Sequence, residues 1–276
     1  MTTVPGSLTE NLQRGIKSFN YGVSFAANEY YYKINKFGAN PSCGTSFEDT
    51  WDGAAVDGAE TMTLQTSAVT CGVSSDDDED TSDGDGARTV MVYGIDGNWD
   101  YQNEVVIMNG QTKVETSKQY LFIYRKKVLT VGVTLVNEGN IYAYDTASAI
   151  SSGVPQTATD LMSMITLLKG QTLMAHFPVG AGYKAYIDKW ECSSGDLQAR
   201  YFDAELVVKP FEQAWQVKHS FGNSGGLTER TWDRPSEIDE KSIIKIRTDC
   251  SASMPVHGSF DVLLIDENRY TTRQTI

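Results

Sequence analysis

Apolar and polar residues alternate with a period of two along most of this chain, the pattern of half-buried strands. In the first half it marks "ETMTLQTSAV" (60–69), "ARTVMVYGID", "NEVVIMNG", "KQYLFIYRKKVLTVGV" and "GNIYAYDT". Asp96-Gly97 and Asn109-Gly110 fall between such runs and read as tight hairpin turns, which predicts an antiparallel meander. In the second half the same pattern returns in seven short runs, from "QTLMAHFPV" to "GSFDVLLID", separated by turn-formers such as "VGAGY" and "GNSGG". Strands at that spacing predict a sandwich or jelly roll. A helical period is confined to "LTENLQRGIKSF", where Gly15 weakens it.

These patterns predict an all-β protein with two β-sandwich domains, the C-terminal one jelly-roll-like. An irregular arm is expected over residues 1–30 and the first domain over 31–146. "ASAISSGVPQTATD" opens a small, polar linker or long loop at 147–165, and the second domain spans 166–276.

Six aromatics crowd the 14 positions from 19 to 32: Phe19, Tyr21, Phe25, Tyr30, Tyr31 and Tyr32. They are more than one small arm shields alone, so residues 16–37 are expected to be partly buried between copies or against a neighbouring protein. The alternative reading of residues 1–30 is a frayed terminus.

The 276 residues carry a net charge of −13, which argues against general binding to nucleic acid or anionic membrane. No apolar run approaches the ~20 residues of a membrane span. The start "MTTVPGSLTENLQRG" has neither the basic nor the apolar region of a signal peptide, so synthesis and use without secretion are expected. Cys43, Cys71, Cys192 and Cys250 form no CxxC pair and are expected to be reduced, buried small hydrophobes.

Little of the sequence reads as chemistry. His176, His219 and His257 belong to strand patterns, outside any nucleophile or zinc signature. Trp190, Trp215 and Trp232 read as core or interface residues, with a sugar-binding platform as the alternative. "DDDEDTSDGDG" (76–86) packs seven carboxylates. An EF-hand frame from Asp78 fails, because Asp83 stands where the turn glycine belongs and Thr89 where the distal Glu belongs. A looser calcium site would use Asp76, Asp78, Asp80, Asp83 and Asp85. The preferred reading is an exposed, solvated loop without a high-affinity metal, with Gly84 and Gly86 turning the chain at positive φ. No cofactor and no catalytic residue are expected.

A series of motifs in one order points further. "NKFGANPSCGTSFEDTWDG", "GARTVMVYGIDGNWDYQNEVVIMNGQTKVETSKQYLFIYRKKVLTVG", "NEGNIYA", "QTLMAHFPVGAGYKAYIDKW", "VKPFEQAWQVKHSF" and "FDVLLID" together resemble a family of virion structural proteins of tailed, mostly marine, phages. The resemblance covers about residues 33–266 and transfers no catalytic residue. Ala54-Ala55 depart from the glycine-rich end usual after the family's "WDG", and the acidic loop departs from a usual Ser/Thr-rich one.

It implies a non-enzymatic protein of the particle, made in the host cytoplasm. The leading expectation is a capsid decoration or head-fibre protein in symmetric copies, a homotrimer bound to other virion proteins. The alternatives are a tail fibre, adaptor or neck component, and a host-glycan-binding module.

Overall fold

The computed structural model describes residues 31–195, 200–223 and 226–267. The chain enters through β1 (Tyr31–Cys43) and the two-residue β2 (Glu48–Asp49). β3 (Val69–Ser75), β4 (Ala87–Ile95), β5 (Tyr101–Ile107), β6 (Val114–Tyr120), β7 (Phe122–Val131) and β8 (Ile141–Asp145) follow. A small hairpin, β9 (Ile150–Ser151) and β10 (Val154–Pro155), precedes β11 (Leu161–Ile165). The last group is β12 (His176–Pro178), β13 (Tyr183–Ser194), β14 (Phe202–Lys209), β15 (Gln216–Asn223), β16 (Gly226–Ile238), β17 (Ile243–Cys250) and β18 (Met254–Asp266). Between residues 31 and 266 the only helical segments described are two 3-10 turns, Asp52–Ala55 and Ala158–Asp160. The protein is all-β.

The C-terminal sandwich has sheet orders β1-β18-β13-β16 and β12-β17-β14-β15. Its eight strands therefore pair first with last, second with seventh, third with sixth and fourth with fifth. Rolling up a long antiparallel ribbon produces that order, and it defines a jelly roll. Period-two burial drives it. In β18, Met254, Val256, Phe260, Val262 and Leu264 face inward on alternate positions. They meet Phe202, Leu206 and Ile246 of the facing sheet around Trp190.

β1 was expected in the first domain, yet it pairs with β18 from Tyr31↔Ile265 to Cys43↔Met254. The second strand is also unusual. Glu48 and Asp49 of β2 lie opposite Thr248 and Arg247, while His176–Pro178 of β12 lie opposite Lys245–Ile243. Between them, Thr50 N donates to Ile246 O (3.0 Å) and Ile246 N donates to Ala175 O (3.2 Å). Beside β17 the chain thus reads as one continuous strand, spliced where residues 50–175 loop out.

Gly38 of β1 crosses the splice. A Cβ there would lie 2.2 Å from Thr50 O and 2.3 Å from Ala175 N, both backbone atoms held in the sheet. We expect Gly38→Ala to cost about 2–3 kcal/mol, the upper range for overpacking, measured as a lowered denaturant midpoint at unchanged slope. A wild-type midpoint would show that the splice is loosely packed.

The looped-out segment is a second antiparallel sandwich with sheets β11-β8-β3-β6 and β5-β4-β7. Val90, Val92, Val106 and Ile123 pack onto Cys71, Val73, Ile141 and Ala143 between them. The link expected at 147–165 is integral to it. β11 pairs with β8, and all five residues of "LMSMI" are buried. Its sheet is covered on both faces: Met162 and Ile165 join the insert's core, while Leu161 and Met164 face Trp51 and Met174.

The expected hairpins also differ. The β4–β5 turn is longer than two residues, with Trp99 rather than Gly97 at positive φ (70°). Asn109-Gly110 sits where the chain crosses from β5 in one sheet to β6 in the other.

Candidate functional site

Outgoing and returning segments meet at the junction of the two sandwiches. Trp51 bridges Met174, Asp52 N donates to Leu173 O (2.9 Å) and Ala175 N to Thr50 O (3.0 Å). Splicing a strand at this point places Asp49, opposite Arg247, and His176, opposite Lys245, near each other and near the Lys245 side chain. Asp49 Oδ1 lies 2.5 Å from Lys245 Nζ, and its Oδ2 accepts from Met62 N at 3.0 Å. His176 Nε2 is 3.4 Å from Asp49 Oδ2, although neither ring nitrogen makes an aligned hydrogen bond. Lys245 Nζ also stands 4.4 Å from the centroid of the Trp215 ring.

Burial works to raise the pKa of Asp49, but the adjacent His176 and Lys245 outweigh it and hold the carboxyl below its ordinary range. Burial likewise pushes His176 down, against the pull of Asp49. Asp49 is 1% exposed and His176 0%. At that burial neither group offers a face to solvent.

A second set of buried charges lies alongside. Lys126 of β7 is completely buried and donates to Ile141 O (2.7 Å) and Ser163 O (3.0 Å). Lys36 of β1 donates to Tyr124 O (2.6 Å), tying the jelly roll to the insert. Asp52 Oδ2 accepts from Leu173 N (3.1 Å), while its other oxygen has no partner. Burial raises Asp52 to about 7 and lowers Lys36 and Lys126 to about 7.

The sign of the resulting pH dependence follows from proton counting. Between its unfolded value of 3.8 and about 7, Asp52 holds more proton in the folded chain, so its share of stability falls as pH rises through that window. Between about 7 and 10.5 the two lysines hold more proton in the unfolded chain, so their share rises with pH. His176 runs against Asp52, because its depressed pKa costs stability below 6.5. We therefore expect Asp52→Asn to gain on wild type from pH 4 to 7, by at most about 1.4 kcal/mol per pH unit. Lys126→Met should flatten the alkaline limb. Denaturant midpoints of the three proteins from pH 4 to 10 check both, and parallel profiles would refute them.

Aromatic rings complete the junction. Tyr101 of β5 packs edge-on against Tyr183 (centroids 5.2 Å) and Tyr124 (5.9 Å), and Tyr124 meets Phe177 at 5.5 Å. The Tyr101 hydroxyl donates to Pro178 O (2.8 Å) and accepts from Gly180 N (2.9 Å). The sequence reading missed this clasp, because its members come from four strands far apart in the chain.

The acidic stretch is partly inside, contrary to a wholly solvated loop. Asp80 is 0% exposed. Its Oδ1 accepts from Ala87 N (2.6 Å) and Glu138 N (2.9 Å), and its Oδ2 from Ser75 Oγ (2.6 Å) and Gly139 N (2.9 Å). Asp76 accepts from Asn140 N (2.7 Å), Asn140 Nδ2 (2.8 Å) and Tyr142 OH (3.0 Å). Asp78, Asp83 and Asp85 are exposed. Of the five candidate ligands, Asp76 and Asp80 are thus taken up by different partners, while the other three face solvent. Among the described residues no three His, Cys, Asp or Glu converge as a metal set.

Gly84 and Gly86 are not among the positive-φ residues; Gly86 instead admits Asp80, whose Oδ1 would lie 2.3 Å from a Cβ there.

Of the aromatic arm, Phe19, Tyr21, Phe25 and Tyr30 lie outside the described residues. Tyr31 opens β1 opposite Ile265, and Tyr32 is 45% exposed. His219 packs on Trp190 and Trp232, and His257 is exposed on β18. Trp190 is fully buried against Phe221 (4.3 Å, stacked), while Trp215 packs at the junction.

Fold and junction together define the class: an all-β protein made of a jelly roll with a second antiparallel sandwich inserted in one strand. No family model matches the chain, and no curated protein matches it. Among solved structures it is similar to the VP2 subviral particle of infectious bursal disease virus. That likeness has 10% identity over 93% of this chain and 78% of that one, at a TM-score of 0.22. A score this low carries no argument about fold or function. Among the described residues no helix is long and apolar enough to cross a membrane.

Proposed function

We propose that the protein is a non-enzymatic structural subunit of a tailed-phage particle, carried on the capsid in many symmetric copies as a decoration or head-fibre protein. The observation that carries this reading is the spliced strand. It makes two sandwiches one two-lobed body, with buried charges and an aromatic clasp across the join. A jelly roll is a fold used for capsid packing, and an inserted lobe offers a second surface to neighbours or to the outside. The ordered motif resemblance supports the same class.

Symmetric copies multiply weak contacts into firm attachment. The insert offers such contacts on the β7–β8 loop and near β11, where Val133, Leu135 and Leu168 are 75%, 76% and 62% exposed. Leu135 and Leu168 are held at positive φ (63° and 66°), a conformation costly for a branched side chain unless its surroundings enforce it.

The test is quantitative mass spectrometry of purified particles, with a reconstruction that locates this protein. High copy number over the capsid shell is the expected result. A few copies at the tail would replace the reading with the tail component, and absence from the particle would end it. Sedimentation of the intact chain tests the expected trimer, and a glycan-array screen tests the sugar-binding alternative.

A further inference from the structure

Cys43 and Cys250 occupy a special place in the jelly roll. Cys43 ends β1 in one sheet, and Cys250 ends β17 in the other. Both are buried in the same core, at 0% and 1% exposure. Cys250 Sγ lies 2.6 Å from Cys43 Sγ, in direct contact. Backbone bonds fix both ends: Cys250 N donates to Gly44 O at 2.8 Å, and Cys43 sits opposite Met254 on β18. The other two cysteines are placed differently. Cys71 lies in the insert's core against Met162 Sδ (3.4 Å), and Cys192 packs beside Gly258.

We infer that Cys43 and Cys250 are an oxidisable pair, a cross-link site that fastens the two sheets of the jelly roll together once the protein meets a disulfide oxidant. The chemistry is thiol–disulfide exchange with a small disulfide such as oxidised glutathione. A thiolate at Cys43 attacks one sulfur of the oxidant and expels one glutathione thiolate. Cys250, deprotonated in turn, attacks the Cys43 sulfur of the mixed disulfide and expels the second. Two protein thiols and one small disulfide become one protein disulfide and two small thiols, and two electrons pass to the glutathione.

Cys43 suits the first step, since the adjacent Cys250 thiol holds its pKa down, while Cys43 and burial push Cys250 up. Burial keeps the oxidant out of the closed core, so exchange takes place as the strand ends open or during folding. The inference does not depend on a role in a virus particle.

The cross-link would close a loop running from the end of β1 almost to the start of β18, enclosing the whole insert. A loop this long removes much freedom from the unfolded chain, and in the chain-entropy model longer loops gain more.

The experiment takes the full chain, refolded once in reduced glutathione and once in a buffer dominated by oxidised glutathione. Thiols are counted with a maleimide under denaturing conditions, and peptides are mapped without reduction. Four reactive thiols are expected in the reduced sample and two in the oxidised one, with a single bridged peptide pair joining Cys43 to Cys250. The oxidised form should melt several degrees higher, and that gain should vanish in Cys43→Ser while surviving in Cys71→Ser. Because Cys43→Ser puts a hydroxyl in the core, Cys43→Ala serves as a second variant for the same readout. Four free thiols after oxidative refolding, or a bridge that uses Cys71 or Cys192, overturns the inference.

Discussion

Asp80→Ala should cost the protein about 5 kcal/mol, taken from two buried N–H groups and one partly buried N–H group orphaned at roughly 1–3 kcal/mol each. Those groups belong to Ala87, Glu138 and Gly139, and Ser75 Oγ loses its acceptor as well. Asp80 is the point at which the loop before β4 and the loop before β8 are held together, so its loss loosens two connections at once. A penalty of this size is comparable with the whole stability of many domains. The check is a denaturant titration beside Asp78→Ala, an exposed carboxylate of the same run, which should move the midpoint by less than about 0.5 kcal/mol. Asp80→Asn keeps one accepting oxygen and should fall between the two. If Asp80→Ala and Asp78→Ala behave alike, the buried carboxylate does not organise this loop.

The second large effect lies at the splice. Removing Asp49 alone leaves Lys245 buried without its carboxylate and Met62 N without its acceptor. Asp49→Ala should therefore cost about 3–5 kcal/mol, the usual penalty for breaking one partner out of a buried pair. Replacing both partners is different, because apolar groups in place of a buried pair are often close to neutral. We expect Asp49→Ala/Lys245→Met to be more stable than Asp49→Ala, with a coupling energy read from the double-mutant cycle. Additive effects would mean that the pair contributes nothing across the splice.

Strand chemistry was legible in the sequence because it is local. Alternation in β14 and β18 reports which side chains face a core, and it led directly to two sandwiches. Which strands pair is not local. β1 and β18 are joined across more than two hundred residues, and no period within "YYKINKFGANPSC" distinguishes a partner in the next fifty residues from one at the far end. The boundary at residue 31 was misplaced for that reason.

The link at 147–165 was misread for another. β11 is covered on both faces, so "LMSMI" shows no alternation, and the small polar residues before it carry a two-stranded hairpin and a single 3-10 turn.

The buried site was the least legible. Asp80 stands among seven carboxylates, and what sets it apart is a pair of amides at residues 138 and 139. Lys126 sits in "YRKKV", where one lysine enters the core and the next points outward across Tyr93. Period two correctly separates the two faces, but a charged residue on the inner face contradicts the polarity that the pattern uses to choose between them.

The spliced strand also sets an order of events during synthesis. β1 and β2 leave the ribosome first, while β17 and β18, against which they must lie, leave last. Domains completed early fold while the remainder is still being made, and the inserted sandwich is finished at β11. Its own folding carries Thr50 to Ala175, shortening what would otherwise be a costly closure of a long loop. When β17 arrives it meets an edge already assembled from two distant pieces of chain. The insert is in this sense the jig on which the jelly roll's second strand is built.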